Sequence, residues 1–129
     1  MADATQAPAQ TGTFCWNELM TPDTEAARSF YQELFGWTSR DVDMGDYGTY
    51  TIFSSGEKDI GGMCALSKED VPPHWMSYVA VDDVDAATEK AEQLGGMQCV
   101  PPTDIPEVGR FSVITDPSGA TIALYKQAK

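Results

Sequence analysis

Asp23-Thr-Glu-Ala-Ala-Arg-Ser-Phe-Tyr-Gln-Glu-Leu-Phe-Gly-Trp37 reads as an amphipathic helix with both ends marked. Pro22 suits a first helical position, where its missing N–H would be unpaired anyway, and Thr21 before it is a candidate N-cap. Asp23 and Glu25 place negative charge where the helix dipole favours it. Ala27, Phe30, Tyr31, Leu34 and Phe35 recur at three- and four-residue spacing and make one apolar stripe. Gly36 supplies the stop.

A shift of sixty residues lands this helix on Asp83-Val-Asp-Ala-Ala-Thr-Glu-Lys-Ala-Glu-Gln-Leu-Gly-Gly96. Asp23 meets Asp83, Ala26 and Ala27 meet Ala86 and Ala87, Leu34 meets Leu94, and Gly36 meets Gly96. A shift of sixty-one sets Gly48-x-Tyr-x-Ile on Gly109-x-Phe-x-Val. The chain therefore reads as two copies of one strand–helix–strands unit.

Around the helices the expected strands are 13–20, 38–42, 49–54, 59–66, 75–81, 110–115 and 120–126, with a short extended piece at 97–100. Helix two is expected from Val84 to Leu94. Pro101-Pro102 and Pro106 rule out a central strand and suggest a stiff loop. The paired Gly61-Gly62 signals a bend or a close backbone approach. Residues 1–12 are expected as a disordered arm without signal-peptide character, and 13–126 as one domain with modules near 13–66 and 75–126.

With 129 residues and 42% hydrophobic content, one compact domain with a real core is expected. The net charge of −12 argues against nucleic acid or an anionic membrane surface as partner. No apolar run is long enough to span a bilayer. Cys15, Cys64 and Cys99 lack Cys-x-x-Cys spacing and read as reduced, buried cysteines of a cytoplasmic protein.

Phe30-Tyr31 with Leu34-Phe35-Gly36-Trp37, the run Val81-Asp-Asp-Val-Asp-Ala-Ala87, and Asp116-Pro-Ser-Gly-Ala120 together resemble the vicinal oxygen chelate superfamily. That group includes glyoxalase I, extradiol dioxygenases and bleomycin-resistance proteins. The resemblance covers residues 13–126. It implies an α+β fold of two βαβββ modules forming a curved mixed sheet around a cavity. It also implies a homodimer, since single-domain members of the family usually pair.

Metal-dependent members resemble one another in using two His and a Glu, or close substitutes, from four strands. This chain has one histidine, His74. The matching positions hold Trp16, Met76 and Ala123, and the fourth falls at Gly62 or Met63. Indole, thioether and methyl groups do not hold a hard or borderline divalent ion. No metal and no cofactor are expected, which disfavours glyoxalase I-type lysis and extradiol ring cleavage.

Residues at those positions should still point inward. Alternation then adds Glu18 and Met20, Tyr78 and Ala80, and Thr121 and Tyr125. The expected ligand-binding residues are Trp16, Met63, Met76, Tyr78, Ala123 and Tyr125, an aromatic and methionine-rich set suited to a small organic molecule. Glu18 is the one carboxylate among them. Desolvated there, it would hold its proton more tightly and could serve as a general base. The sequence thus supports a metal-free small-molecule binder, with a metal-independent lyase or isomerase using Glu18 as the alternative. His74 reads as a turn residue, Arg110 as an ion-pair partner, and Asp82-Asp-Val-Asp85 as a capped helix start.

Overall fold

The computed structural model describes residues 10–66, 71–105 and 108–128. Its elements run β1 (Phe14–Thr21), α1 (Thr24–Phe35), β2 (Thr38–Asp43), a single 3-10 turn (Gly45–Tyr47), β3 (Thr49–Ser55), β4 (Lys58–Ala65), β5 (His74–Ala80), α2 (Val84–Gln93), β6 (Met97–Ile105), β7 (Gly109–Thr115) and β8 (Thr121–Gln127). The class is α+β, and strand–helix–three strands occurs twice. Among the described residues, contacts gather those of 16–75 into one compact unit and those of 10–15 and 76–128 into another. Within the second unit, Gly12 N donates to Ala80 O and Ala80 N to Thr13 O. Residues 1–9 of the expected N-terminal arm, the link over 67–70 and Pro106 lie outside the described residues.

In the first unit the strands lie in the order β2-β3-β4-β1, and in the second β5-β8-β7-β6. The two ladders share one register. Parallel pairing sets Glu18 opposite Gly62 in the first and Tyr78 opposite Ala123 in the second. Antiparallel pairing sets Ile52 opposite Gly62 and Val113 opposite Ala123. The repeat read from the sequence is therefore present in the hydrogen bonds themselves.

Each helix covers one face of its own strands. Leu19, Phe53 and Met63 form the buried core of the first unit, with Ala27 and Tyr31 of α1, Trp37 and Ile60 packed against them. In the second unit Val84 and Thr88 are the buried residues of α2. Thr88 Oγ1 donates to Val84 O and lies 2.7 Å from Ser112 Oγ, so the hydroxyls in that core are satisfied.

Three expectations are corrected here. The N-cap of α1 is Asp23, whose carboxylate accepts from Ala26 N at 3.0 Å; Thr21 instead accepts from Asp23 N. A carboxylate caps better here because it also opposes the helix dipole. The region around Pro101-Pro102 is strand, not loop: β6 runs through both prolines against β7, with register shifts between Gln98 and Val100 and between Val100 and Thr103. A terminal strand with bulges can accommodate residues that lack an N–H. The cysteines are not deeply buried: Cys15 and Cys64 are half-buried and Cys99 is exposed. On α1 no residue is fully buried, and Phe30, Leu34 and Phe35 of its apolar stripe stay exposed.

Candidate functional site

In β1, Leu19 turns toward α1, so alternation sends Trp16, Glu18 and Met20 to the helix-free face. The cross-strand partners of that face follow from register: Gly62 and Cys64 on β4, and Tyr50 and Ile52 on β3. Met63 is displaced by one position. It packs in the core beneath α1 with Leu19 and Phe53, away from Glu18. The matching ladders identify Gly62, opposite Glu18, as the counterpart of Ala123, opposite Tyr78.

Trp16 and Glu18 are both buried, 5% and 6% exposed. The Trp16 indole Nε1 donates to Tyr50 Oη at 2.8 Å. Tyr50 lies directly over Gly62, where a Cβ would overlap its hydroxyl and ring. Cys64 Sγ sits 3.8 Å from Glu18 Oε2 and 3.2 Å from Met20 Sδ. Burial pushes the Cys64 thiol up to about 12, and the neighbouring Glu18 carboxylate adds to the shift. This thiol is therefore a hydrogen-bond donor, not a nucleophile.

The helix-free face of the second unit carries Tyr78, Ala80, Ala123 and Tyr125, all buried, with Met76 half-buried. The Tyr78 and Tyr125 rings meet edge to face at 6.2 Å. Tyr125 Oη donates to Val108 O at 2.9 Å. Desolvation, with a smaller contribution from Cys15, pushes the Tyr125 phenol up from 10 to about 12. The unfolded chain gives up this proton first, so the associated stability is complete below pH 10 and is lost as pH rises toward 12. The expected result is a steeper alkaline loss of stability in wild type than in Tyr125→Phe. Superimposable alkaline denaturation curves would refute it.

The other singled-out residues make local ion pairs, caps and turns. Arg110 donates to both Asp85 oxygens, at 2.8 and 2.9 Å, and to Asp104 at 2.9 Å. Those bonds hold the Asp85 carboxyl below its usual range. Asp83 caps α2 through Ala86 N. Asp116 Oδ1 accepts from Ser118 N, Ser118 Oγ and Ala120 N, which makes the Asp-Pro-Ser-Gly segment a closed turn. His74 Nδ1 lies 2.8 Å from Pro72 O.

Sequence reasoning missed Tyr50 and Cys64. The Gly61-Gly62 pair was the available signal for Tyr50, since a missing Cβ is what admits its ring. The four positions that the family resemblance assigns to metal ligands carry Trp16, Gly62, Met76 and Ala123, which offer no carboxylate, imidazole or thiolate. Among the described residues, no group of three or more His, Cys, Asp or Glu side chains could hold a metal ion. Nor is any helix among them long and apolar enough to cross a membrane.

Residues 13–124 match the family profile described as Glyoxalase/Bleomycin resistance protein/Dioxygenase superfamily. The chain is 40% identical over 119 residues to a Mycobacterium bovis protein named "Putative glyoxylase CFP32", covering 92% of this chain and 46% of that protein. It is 35% identical over 131 residues to "Anthracycline biosynthesis protein DnrV" of Streptomyces peucetius, covering 90% and 47%. The chain thus spans about half the length of these relatives. Among solved structures, methylmalonyl-CoA epimerase from Mycobacterium tuberculosis superposes with a TM-score of 0.66 at 16% identity, covering 94% of this chain and 93% of that one.

Proposed function

Because the chain belongs to the Glyoxalase/Bleomycin resistance protein/Dioxygenase superfamily, we propose that it is a metal-independent domain that binds a small organic molecule. Each unit offers its own helix-free face as a ligand surface: Trp16, Glu18 and Met20 in the first, and Met76, Tyr78, Ala123 and Tyr125 in the second. The observation that carries this reading is the buried Glu18 carboxylate on a face that otherwise presents indole, phenol, thiol, thioether and aliphatic groups. Such a face favours a flat or apolar body with a polar handle. The relative named for anthracycline biosynthesis makes a fluorescent anthracycline a suitable first probe.

A second reading has the same residue act as a general base in a metal-independent lyase or isomerase. Burial of Glu18 beside the Cys64 thiol favours it, because desolvation is how a carboxylate is tuned for proton abstraction. We place the domain in the cytoplasm, where its free thiols stay reduced. The exposed Leu34, Phe35 and Trp75 suit a homodimer.

Native mass spectrometry of the full chain, combined with titration of its tryptophan fluorescence by the probe, tests this reading. The expected result is a metal-free dimer whose fluorescence is quenched saturably, with quenching reduced in Trp16→Phe. Glu18→Gln separates the two readings: a binder keeps the probe, whereas an enzyme loses turnover of its substrate by about 100-fold or more. Failure of any aromatic probe to saturate, or a stoichiometric divalent metal in the wild-type protein, would overturn the proposal.

A further inference from the structure

We propose that Tyr50 is the residue that closes the first unit to divalent cations, its hydroxyl filling the volume that a ligating side chain at position 62 would need. The inference rests on the metal-free reading above and adds a cause to it. Absence of ligands alone would leave a space at Trp16 and Gly62. Instead, the Tyr50 ring reaches from β3 over Gly62 of β4, and a Cβ on residue 62 would overlap its Oη, Cζ and Cε2 atoms. The position is closed sterically before any question of donor chemistry arises.

The hydroxyl is also held in place. Trp16 Nε1 donates to it at 2.8 Å in a buried setting, and both residues stand on the same face as Glu18. The two family ligand positions of this unit are thus tied together by one hydrogen bond through Tyr50: one position donates, and the other is covered. A neutral indole–phenol hydrogen bond thus occupies both of these positions, on the face that also carries the Glu18 carboxylate. The second unit does not repeat the device. Its counterpart of Tyr50 is Phe111, which has no hydroxyl, and its counterpart of Gly62 is Ala123, which tolerates a Cβ. Tyr50 and Gly62 therefore form a compensating pair peculiar to the first unit.

The test grafts ligands with and without the plug. Trp16→His with Gly62→Glu is prepared in the Tyr50 background and again with Tyr50→Ala, Glu18 being kept in both. Each full chain is dialysed against zinc, and bound metal is counted by plasma mass spectrometry. Wild type and the graft retaining Tyr50 are expected to hold no stoichiometric zinc. The graft with Tyr50→Ala is expected to hold roughly one ion per chain. Equal uptake by the two folded grafts, or none by either, overturns the role of Tyr50 while leaving the metal-free reading intact. Zinc on wild type overturns that reading instead.

Should the grafts not fold, a thermal double-mutant cycle decides the same point. Gly62→Ala is expected to lower the Tm sharply beside Tyr50 and much less beside Tyr50→Ala. Additive losses would overturn the proposal.

Discussion

Phe53→Ala is expected to cost about 3–5 kcal/mol, the range for removing a large buried aromatic side chain and leaving a cavity. Phe53 is 0% exposed and sits in the core of the first unit with Leu19 and Met63. Its ring centroid lies 5.4 Å from Trp37 and 6.3 Å from Tyr31. The neighbours cannot collapse easily into the void, because they belong to three different elements and stack on one another. A domain of this size has about 5–15 kcal/mol in total, so the variant would keep only part of its folding free energy. Phe30→Ala is the matched control. Phe30 meets the same Tyr31 edge to face at 5.1 Å but is 58% exposed, and its loss should cost less than about 1 kcal/mol. Chemical denaturation of both variants measures the difference. Equal losses would mean that the aromatic group as a whole, not its buried member, holds the unit together.

Gly109→Ala is expected to cost about 3 kcal/mol through overpacking, with no contribution from backbone conformation. A Cβ there would collide with the Lys126 carbonyl oxygen and lie 2.7 Å from Tyr125 Cε1. The obstructing oxygen belongs to the paired strand β8, so relief requires moving backbone rather than turning a side chain. The same movement would disturb the Tyr125 bond to Val108. The variant should therefore show two linked changes: a lower denaturation midpoint, and a Tyr125 phenol that ionises nearer its ordinary 10 than about 12. Gly119→Ala supplies the contrast, since its added Cβ meets nothing within 4 Å and its strain comes from φ +98° alone. A Gly109→Ala protein as stable as wild type would show that β7 and β8 can slide apart at this end.

These expectations also show how far residue patterns carry. The helix at Thr24–Phe35, its stop at Gly36 and the sixty-residue repeat were legible, because caps and apolar periodicity are local properties of the chain. The helix-free face of β1 was legible too, since alternation fixes Trp16, Glu18 and Met20 once Leu19 is assigned inward. Met63 was misplaced because a one-residue uncertainty in a strand exchanges its two faces. Tyr50 was legible only as the close approach that Gly61-Gly62 signals: which side chain makes it depends on the pairing of β3 with β4, a long-range register that no local pattern states. Pro101 and Pro102 misled for the opposite reason. Their local preference is real, but a strand that pairs on one side needs only half its N–H groups.

A sheet whose outermost strand is regular and uncharged invites another chain to add on, and repeated addition builds fibrils. Strand β6 instead offers two residues that cannot donate, set among register shifts. Strand β2, the terminal strand of the other set, carries Arg40 and Asp41, engaged with Asp59 and Arg28 respectively. Both margins are poor templates for growth, so crowded solutions of this chain should resist polymerisation even though several large apolar side chains face the solvent.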